Sequence, residues 1–282
     1  MAEKWHEAYL NQLSMLPMQQ IEAHFQLSKL ADWPNADGLN LYRQQSNMVD
    51  IVEFPAFVCQ SQLAQTDAYY EQIIYQQKLI PTRPNSWHDL FNGLIWLQFP
   101  KTKQLLNALH VEDIKAFGLT PRSARRNSIT HFDECGVIIT YEKSLEDLSS
   151  AKQLLAKLTA HQWHEVFVEH RNMWGQGLHT FMFGHANLEM LLQPFIGLTG
   201  KWLAVEVPQG FSELCYKQQI AQVDDALHRH IKQQQVFSQK KPLSPIPLLG
   251  IPEYWNANKS PSFYQNSDYF RPARQHNRKS IR

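Results

Sequence analysis

The sequence predicts an α+β fold: a mostly helical domain with a small β-sheet and a proline-rich C-terminal strap. Three observations predict it. Long segments repeat apolar residues at helical spacing, and the clearest of them is residues 86–97. Residues 136–141 are rich in β-branched and aromatic side chains, and residues 201–207 alternate between apolar and other side chains, as strands do. Prolines recur among apolar residues at 242–252, which is typical of an extended segment.

The individual elements follow from this periodicity and from the residues that interrupt it. Helices are predicted, in chain order, at residues 1–45 (broken at 33–38), 66–78, 86–99, from about 101, 111–117, 145–158, 161–173, 178–193 and 212–235. Strands are predicted at 136–141 and 201–207, and an edge hairpin interrupted by Pro55 at 49–54 and 57–58. Pro81 and Pro84 favour an extended approach to Ser86, which is a good N-cap residue.

Length and composition fit one large domain or two small ones, and we expect a single globular domain, residues 1–272, followed by a basic tail. The chain has 282 residues, of which 43% are hydrophobic and 12% aromatic, enough apolar material for a large core. Residues 273–282 are basic and polar, and we expect them to be disordered. No internal repeat is present in the sequence.

Charge and cysteine content exclude several classes of protein. The net charge of +1 gives no reason to expect a nucleic-acid or membrane partner. Cys59, Cys135 and Cys215 are odd in number and far apart, so neither a disulfide framework nor a zinc ribbon is predicted. The N-terminus lacks the basic and apolar segments of a signal peptide, and no apolar stretch is long enough to span a membrane. We therefore expect a soluble, cytoplasmic protein.

Several motifs of known enzyme classes are approached but not completed. His161 and His164 have HxxH spacing, but Glu165 follows the second histidine instead of lying between the two. Residues 197–202 resemble a P-loop only superficially, because the spacing is wrong and Trp202 replaces the required hydroxyl residue. No GxSxG nucleophile motif occurs.

Polar residues in the apolar helix at 86–97 form the first part of a candidate site. His88 and Asn92 are one turn apart and share a face, while apolar residues cover nearly all of the rest. Asp89 lies in the first turn, where the helix dipole favours a carboxylate. Buried polar groups must be satisfied or used, so these three residues are candidates for catalysis. Alternatively, Asp89 caps the helix and His88 bonds a backbone carbonyl.

His185 and Glu189 form the second part. They are an i, i+4 pair on the predicted helix 178–193 and lie on its apolar stripe. A glutamate that orients a histidine is common in metal and acid–base sites. Gly184 removes a side chain beside His185 and would let another element approach closely. The alternative is a buried histidine held by its own glutamate in a structural network.

Asp133 and Glu134 form the third part. They are adjacent carboxylates at a predicted loop-to-strand junction, where they can bind a cation or an arginine or lie on a solvated turn. Arg126 is close enough in sequence to be an internal partner.

With these residues assembled, the chain resembles an uncharacterised proteobacterial family, the domain of unknown function numbered 3025. The segments that carry the resemblance are residues 87–92 (WHDLFN), 99–101 (FPK), 132–136 (FDECG), 183–189 (FGHANLE), 245–252 (PIPLLGIP), 263–264 (FY) and 270–272 (FRP). One position departs from the family pattern, since Arg126-Asn127 stands where an Arg-Asp pair is typical. The resemblance implies one domain over about residues 40–272 and no assigned activity.

Two hypotheses about function stay open. In the first, the protein is a hydrolase with a polar cleft built from His88, Asp89, Asn92, Asp133, Glu134, His185 and Glu189. There, His88, Asp133, Glu134 and His185 hold a divalent metal, or His185 acts as general base with Glu189 orienting it. In the second, the protein is a non-catalytic binding or adaptor protein, and the same residues form a buried network. The partner is an unidentified small molecule or protein. Either way, His88 and His185 are predicted to lie close together.

Overall fold

The described residues are 5–45, 54–63, 68–143 and 145–273 of a computed structural model, and most of them are helical. The α-helices are α1 (Glu7–Leu10), α2 (Leu16–Phe25), α3 (Ala36–Gln45), α4 (Tyr70–Gln77), α5 (Trp87–Gln98), α6 (Pro100–Phe117), α7 (Ala124–Cys135), α8 (Leu145–Thr159), α9 (His185–Met190) and α10 (Tyr216–Gln233). The strands are β1 (Ala56–Cys59), β2 (Leu79–Thr82), β3 (Gly136–Glu142), β4 (Leu178–Met182), β5 (Thr199–Val207) and β6 (Ser244–Pro247). The predicted α+β class is confirmed.

A four-stranded mixed sheet organises the core. Its strand order is β4-β3-β5-β6, with β3 antiparallel to β4 and parallel to β5, and with β5 antiparallel to β6. The first five residues of β3 are buried because the strand has neighbours on both edges and helices against its faces. β1 and β2 form a separate, parallel pair.

Helix α5 passes through the apolar core. Ser86 caps it by accepting a hydrogen bond from the Asp89 backbone N–H, as the sequence predicts. Every residue from Leu90 to Gln98 is buried. The last turn ends against Pro100, which begins α6. Only the first turn of α5 reaches the edge of the core, and that turn carries His88.

The proline-rich strap is docked on the domain, as predicted. Ile246, Leu248, Leu249 and Ile251 are fully buried. Part of the strap pairs with β5 as strand β6, where Thr199 lies opposite Pro247. Burying four aliphatic side chains contributes roughly 1.5–3 kcal/mol each, which is enough to hold the strap in place.

The largest error of the sequence-based assignment concerns residues 178–193. They do not form one helix, because residues 178–182 form strand β4 and pair with residues 137–141 of β3. Helix α9 begins only at His185, after Gly184. Asp133 and Glu134 are also misplaced in the prediction, since they lie in the last turn of α7 and not in a loop.

Three smaller assignments are also corrected. β1 pairs with β2 in parallel, so residues 57–58 are not half of a hairpin, and residues 49–53 lie outside the described part of the chain. Residues 111–117 continue α6. Residues 161–173 contain only short π-helical and 3-10 turns. Residues 274–282 of the predicted tail are not described.

In the part of the chain that is described, no helix has the length and apolar character needed to cross a bilayer.

Candidate functional site

Three helix ends meet at the candidate site. His88 lies in the first turn of α5, Asp133 and Glu134 in the last turn of α7, and His185 at the start of α9. Gly184 makes the meeting possible, because a Cβ atom there would lie 2.5 Å from the Gly136 backbone nitrogen. This close approach of two backbones places His185 beside the carboxylates, as the sequence indicated for Gly184.

The two histidines point their Nε2 atoms at each other. The distance between the Nε2 atoms of His88 and His185 is 3.2 Å, and the rings meet edge to face. Glu134 Oε2 lies 3.4 Å from His185 Nε2. One potential ligand atom from each of these three residues lies within 4.8 Å of the other two. The predicted closeness of His88 and His185, which are 97 residues apart in sequence, is confirmed.

Glu189 orients His88 and not His185. Glu189 Oε2 lies 3.0 Å from His88 Nδ1, so this nitrogen carries the proton that is donated to the carboxylate. In the tautomer with its proton on Nδ1, the Nε2 atom of His88 presents a lone pair to His185. This corrects the predicted His185–Glu189 pair and, with it, the proposal that Glu189 orients His185 as a general base.

His185 is almost completely buried. Only 3% of the residue is exposed, and burial lowers its pKa from 6.5 to about 3, which keeps the ring neutral. Its Nδ1 atom has no hydrogen-bond partner among the described residues, and the nearest carboxylate oxygen, Asp133 Oδ2, is 4.0 Å away. A ring with so low a pKa is a poor general base but a good neutral ligand.

The two carboxylates at the end of α7 have different partners. Asp133 accepts a 2.5 Å hydrogen bond from the Nζ atom of Lys103, whose side chain is only 4% exposed. Burial would raise the pKa of Asp133, but the charge of Lys103 and the hydrogen bond from it outweigh burial and hold this pKa below its usual value. Burial and the neighbouring Asp133 raise the pKa of Glu134. Negative charges at a helix C-terminus are unfavourable, so this corner of the fold favours a cation.

Asp89 and Asn92 are not part of the histidine cluster. Asp89 accepts hydrogen bonds from the Nε, Nη2 and backbone nitrogen atoms of Arg83, and these outweigh burial to lower its pKa. Asp89 thereby connects the first turn of α5 to Arg83 in the segment that precedes this helix. Asn92 donates to the Tyr70 hydroxyl and accepts from Lys103 Nζ. Asn92 thus positions the lysine that neutralises Asp133.

An open cavity of about 630 Å³ lies in front of the cluster. Among its lining residues are His88, Glu134, His185, Glu71, Tyr69 and Arg122. This volume is typical of sites for small molecules. The histidine cluster therefore forms part of the wall of a cavity and is not closed on itself.

Sequence reasoning missed the polar residues that α6 contributes. Lys103, Asn107 and His110 are buried on the same helix face as Leu106 and Ile114. Their spacing of three and four residues is the available signal, because charged or amide side chains on an apolar stripe must have buried partners. Arg126 was the expected partner of the carboxylates, but it donates instead to the carbonyls at 118 and 119.

Fold and site together define an α+β protein with a two-histidine, carboxylate cluster at the wall of a cavity. The chain belongs to the family described as "Protein of unknown function (DUF3025)", whose model matches residues 55–274. No curated protein and no solved structure matches the chain.

Proposed function

We propose that this protein is a metal-dependent hydrolase in which His88, Glu134 and His185 bind one divalent cation. The observation that carries the proposal is the convergence of two imidazole nitrogens and one carboxylate oxygen at the wall of an open cavity. Three protein ligands with one open position are typical of catalytic zinc sites, and two histidines with one glutamate are a common set.

The distances between ligand atoms support a shared cation. Two atoms that each lie about 2.1 Å from one cation are about 3 Å apart at a right angle and about 3.4 Å apart at the tetrahedral angle. The His88–His185 nitrogen distance of 3.2 Å and the His185–Glu134 distance of 3.4 Å fall in this range. A short contact between two imidazole rings is weak by itself, because one nitrogen must act as donor and His185 Nδ1 is then left without a partner among the described residues.

The neighbours of the ligands also support the proposal. Glu189 accepts from His88 Nδ1, which fixes the ring so that its Nε2 lone pair faces the cluster. A ligand histidine held by a carboxylate in this way is a recurrent feature of metal sites. If His185 binds the cation through Nε2, its Nδ1 proton faces Asp133, which Lys103 keeps ionised.

A bound divalent cation would polarise the scissile bond and activate water. The protein residues supply the rest. Burial keeps the His185 ring neutral, so that it can bind a cation. The hydrogen bond to Glu189 fixes the orientation of the His88 ring. The cavity side of the cluster offers room for substrate and for the attacking water.

Metal binding is the first test. Protein purified with a chelator and then titrated with Zn²⁺ is expected to bind one ion per chain. His88→Gln, Glu134→Gln and His185→Gln should each weaken binding by more than about 100-fold, since loss of an orienting neighbour alone costs 10–100-fold. His179→Gln is the matched control, because His179 bonds Ser212 and does not line the cavity.

Hydrolysis is the second test. Zinc-loaded protein and Glu134→Gln are compared on chromogenic carboxylic esters, amides and phosphate esters. We expect turnover of at least one class, and its loss in Glu134→Gln. Equal zinc binding by wild type and all three ligand variants contradicts the proposal and favours the second hypothesis, a non-catalytic protein with a structural network. Zinc binding without hydrolysis of any class contradicts the hydrolase assignment alone.

A further inference from the structure

A separate group of polar residues lines the cavity beside the proposed metal site. Arg122 donates from Nη2 to the Tyr69 hydroxyl over 2.9 Å, and both residues line the cavity. His110 also lines it; 5% of His110 is exposed, and its Nδ1 atom has no hydrogen-bond partner among the described residues. None of these three residues belongs to the histidine cluster.

Arg122 differs from the other charged residues around the cavity in having no carboxylate partner within the described parts of the chain. Arg83 is paired with Asp89, and Lys103 is paired with Asp133. Each pair brings opposite charges together and contributes little net charge to the cavity. Among the described residues, the exposed guanidinium of Arg122 is therefore a positive charge at the cavity without a carboxylate beside it.

Arg126 strengthens this local excess of positive charge. It is 1% exposed, it donates only to backbone carbonyls, and its guanidinium carbon lies 5.4 Å from the centre of the Tyr69 ring. Tyr69 is thus held between two arginines, one over its ring and one at its hydroxyl. A tyrosine fixed in this way restricts where the Arg122 guanidinium can lie.

The remaining carboxyl group in this part of the cavity is Glu71. It accepts a hydrogen bond from the Asn107 side chain, and burial raises its pKa to about 7. Near neutral pH this group therefore carries only part of a negative charge. With a divalent cation bound beside Glu134, the described groups of the cavity would together carry a net positive charge.

We propose that Arg122, positioned by Tyr69, binds an anionic group of the substrate, a carboxylate or a phosphate, while the bond to be hydrolysed lies at the histidine cluster. The position of the hydrolysed bond at the histidine cluster rests on the proposed function, whereas the anion site at Arg122 does not. The forked donors of a guanidinium match the paired oxygens of both anions. A cavity of about 630 Å³ has room for a small molecule that reaches both places.

The experiment measures anion binding without the metal. Chelator-treated full-length protein is titrated with inorganic phosphate and, separately, with glutarate, and the dissociation constants are measured by NMR. We expect at least one anion to bind, and Arg122→Gln to weaken its binding by about tenfold or more. Binding of phosphate alone identifies a phosphate site, and binding of glutarate alone identifies a carboxylate site.

Matched variants show whether the effect is local. Arg229→Gln removes another exposed arginine, on α10 and outside the cavity, and should leave the dissociation constants unchanged. Tyr69→Phe should weaken binding less than Arg122→Gln does. If Arg122→Gln unfolds, Arg122→Lys replaces it; this variant keeps the charge, loses the fork, and should bind more weakly than wild type.

Two results overturn the proposal: failure of both anions to bind wild type, or equal binding by wild type and the Arg122 variant. Zinc titration of the same preparations separates this proposal from the proposed function. If wild type binds no zinc but binds an anion in a way that depends on Arg122, the metal site is overturned and the anion site is supported. If wild type binds zinc but neither anion, the anion site alone is overturned.

Discussion

The polar cluster beneath the C-terminal strap and the histidine cluster at the cavity each contain a buried polar residue, Asn258 (1% exposed) and His185 (3% exposed), but their hydrogen bonding differs. Under the strap, Asn258 donates to the backbone carbonyls of Leu249 and Ile251 and accepts from Arg171. Tyr264 donates to the Gly250 carbonyl and accepts from the same arginine. The side chains of Asn258 and Tyr264 thus have partners in good geometry, which is what stability requires.

The histidine cluster satisfies its hydrogen-bonding groups less completely. Glu189 pairs with His88 Nδ1, but the Nε2 atoms of His88 and His185 face each other. His185 Nδ1 has no hydrogen-bond partner among the described residues, and Glu134 Oε2 lies 3.4 Å from His185 Nε2. A protein that needed this cluster only for stability would gain by replacing it with apolar residues. Asn258 and His185 are similarly buried, so the comparison teaches that the geometry of the hydrogen-bond partners is what distinguishes the strap cluster from the cluster for which we propose a function.

The largest expected effect is on the strap cluster. Asn258→Ala leaves two backbone carbonyls and the Arg171 guanidinium without their buried partner, so we expect a loss of about 3–5 kcal/mol in the free energy of unfolding. Urea denaturation measures it. Asn266→Ala is the control, because Asn266 is exposed and bonds only nearby backbone N–H groups in the same segment. A loss below about 1 kcal/mol for Asn258→Ala would contradict the view that the hydrogen bonds of the strap cluster stabilise the fold.

The histidine cluster should behave in the opposite way. We expect metal-free His185→Gln to change the free energy of unfolding by about 1 kcal/mol or less, because few good hydrogen bonds are lost. In wild type, zinc at about 100 times its dissociation constant should add about 2.7 kcal/mol, and in His185→Gln it should add nothing. Chemical denaturation with and without zinc measures both. A large loss in the metal-free variant would make this cluster structural.

The sequence was sufficient to predict that His88 and His185 lie close together, because of particular residues. His88 lies in the first turn of a helix whose later residues are all buried, and His185 follows a glycine within an apolar segment. Polar groups in such places need partners, so their meeting could be inferred without any knowledge of the fold. The strap was predictable for the related reason that Leu248 and Leu249 are costly to expose.

The route of the chain to His185 could not be predicted in the same way. Residues 178–182 have apolar spacing that fits a helix, and only pairing with β3, about 40 residues earlier, selects the strand. Such long-range pairing overrides local preference. The partner of Glu189 was missed for the same reason: His88 is 101 residues away from it in sequence. Gly184 was the one local sign that two backbones come together there.

Asp224 adds a third case to the comparison. Its side chain has hydrogen-bond partners, as the strap cluster does, but it is a group that can carry a charge. It accepts hydrogen bonds from the backbone N–H groups of Lys101 and Thr102 at the start of α6, and burial raises its pKa to about 6. The unfolded chain has the ordinary aspartate pKa of about 3.9, so between about pH 4 and pH 6 the folded state binds the extra proton. Folding stability should therefore fall as pH rises through this window.

We expect wild type to lose about 2 kcal/mol relative to Asp224→Asn between pH 4 and pH 7, since the variant does not titrate there. Urea denaturation at unit pH intervals measures the difference. Asp225→Asn, at an exposed neighbouring carboxylate paired with Lys101, should run parallel to wild type. The opposite result, in which wild type gains stability relative to Asp224→Asn as pH rises, would mean that the hydrogen bonds accepted by Asp224 outweigh the cost of burying its charge.

The smallest expected effect is that of Glu189→Gln, and it tests whether the histidine cluster depends on its orienting neighbour. A carboxylate that holds a ligand histidine typically strengthens metal binding 10–100-fold. Glu189 has 44% of its side chain exposed, so water can replace part of its hydrogen bond to His88 and we expect the lower end, about tenfold weaker zinc binding. Glu206→Gln is the control, because Glu206 is similarly exposed and distant from the cluster in the sheet. Unchanged zinc affinity in Glu189→Gln would mean that His88 is oriented by packing within α5 and not by the carboxylate.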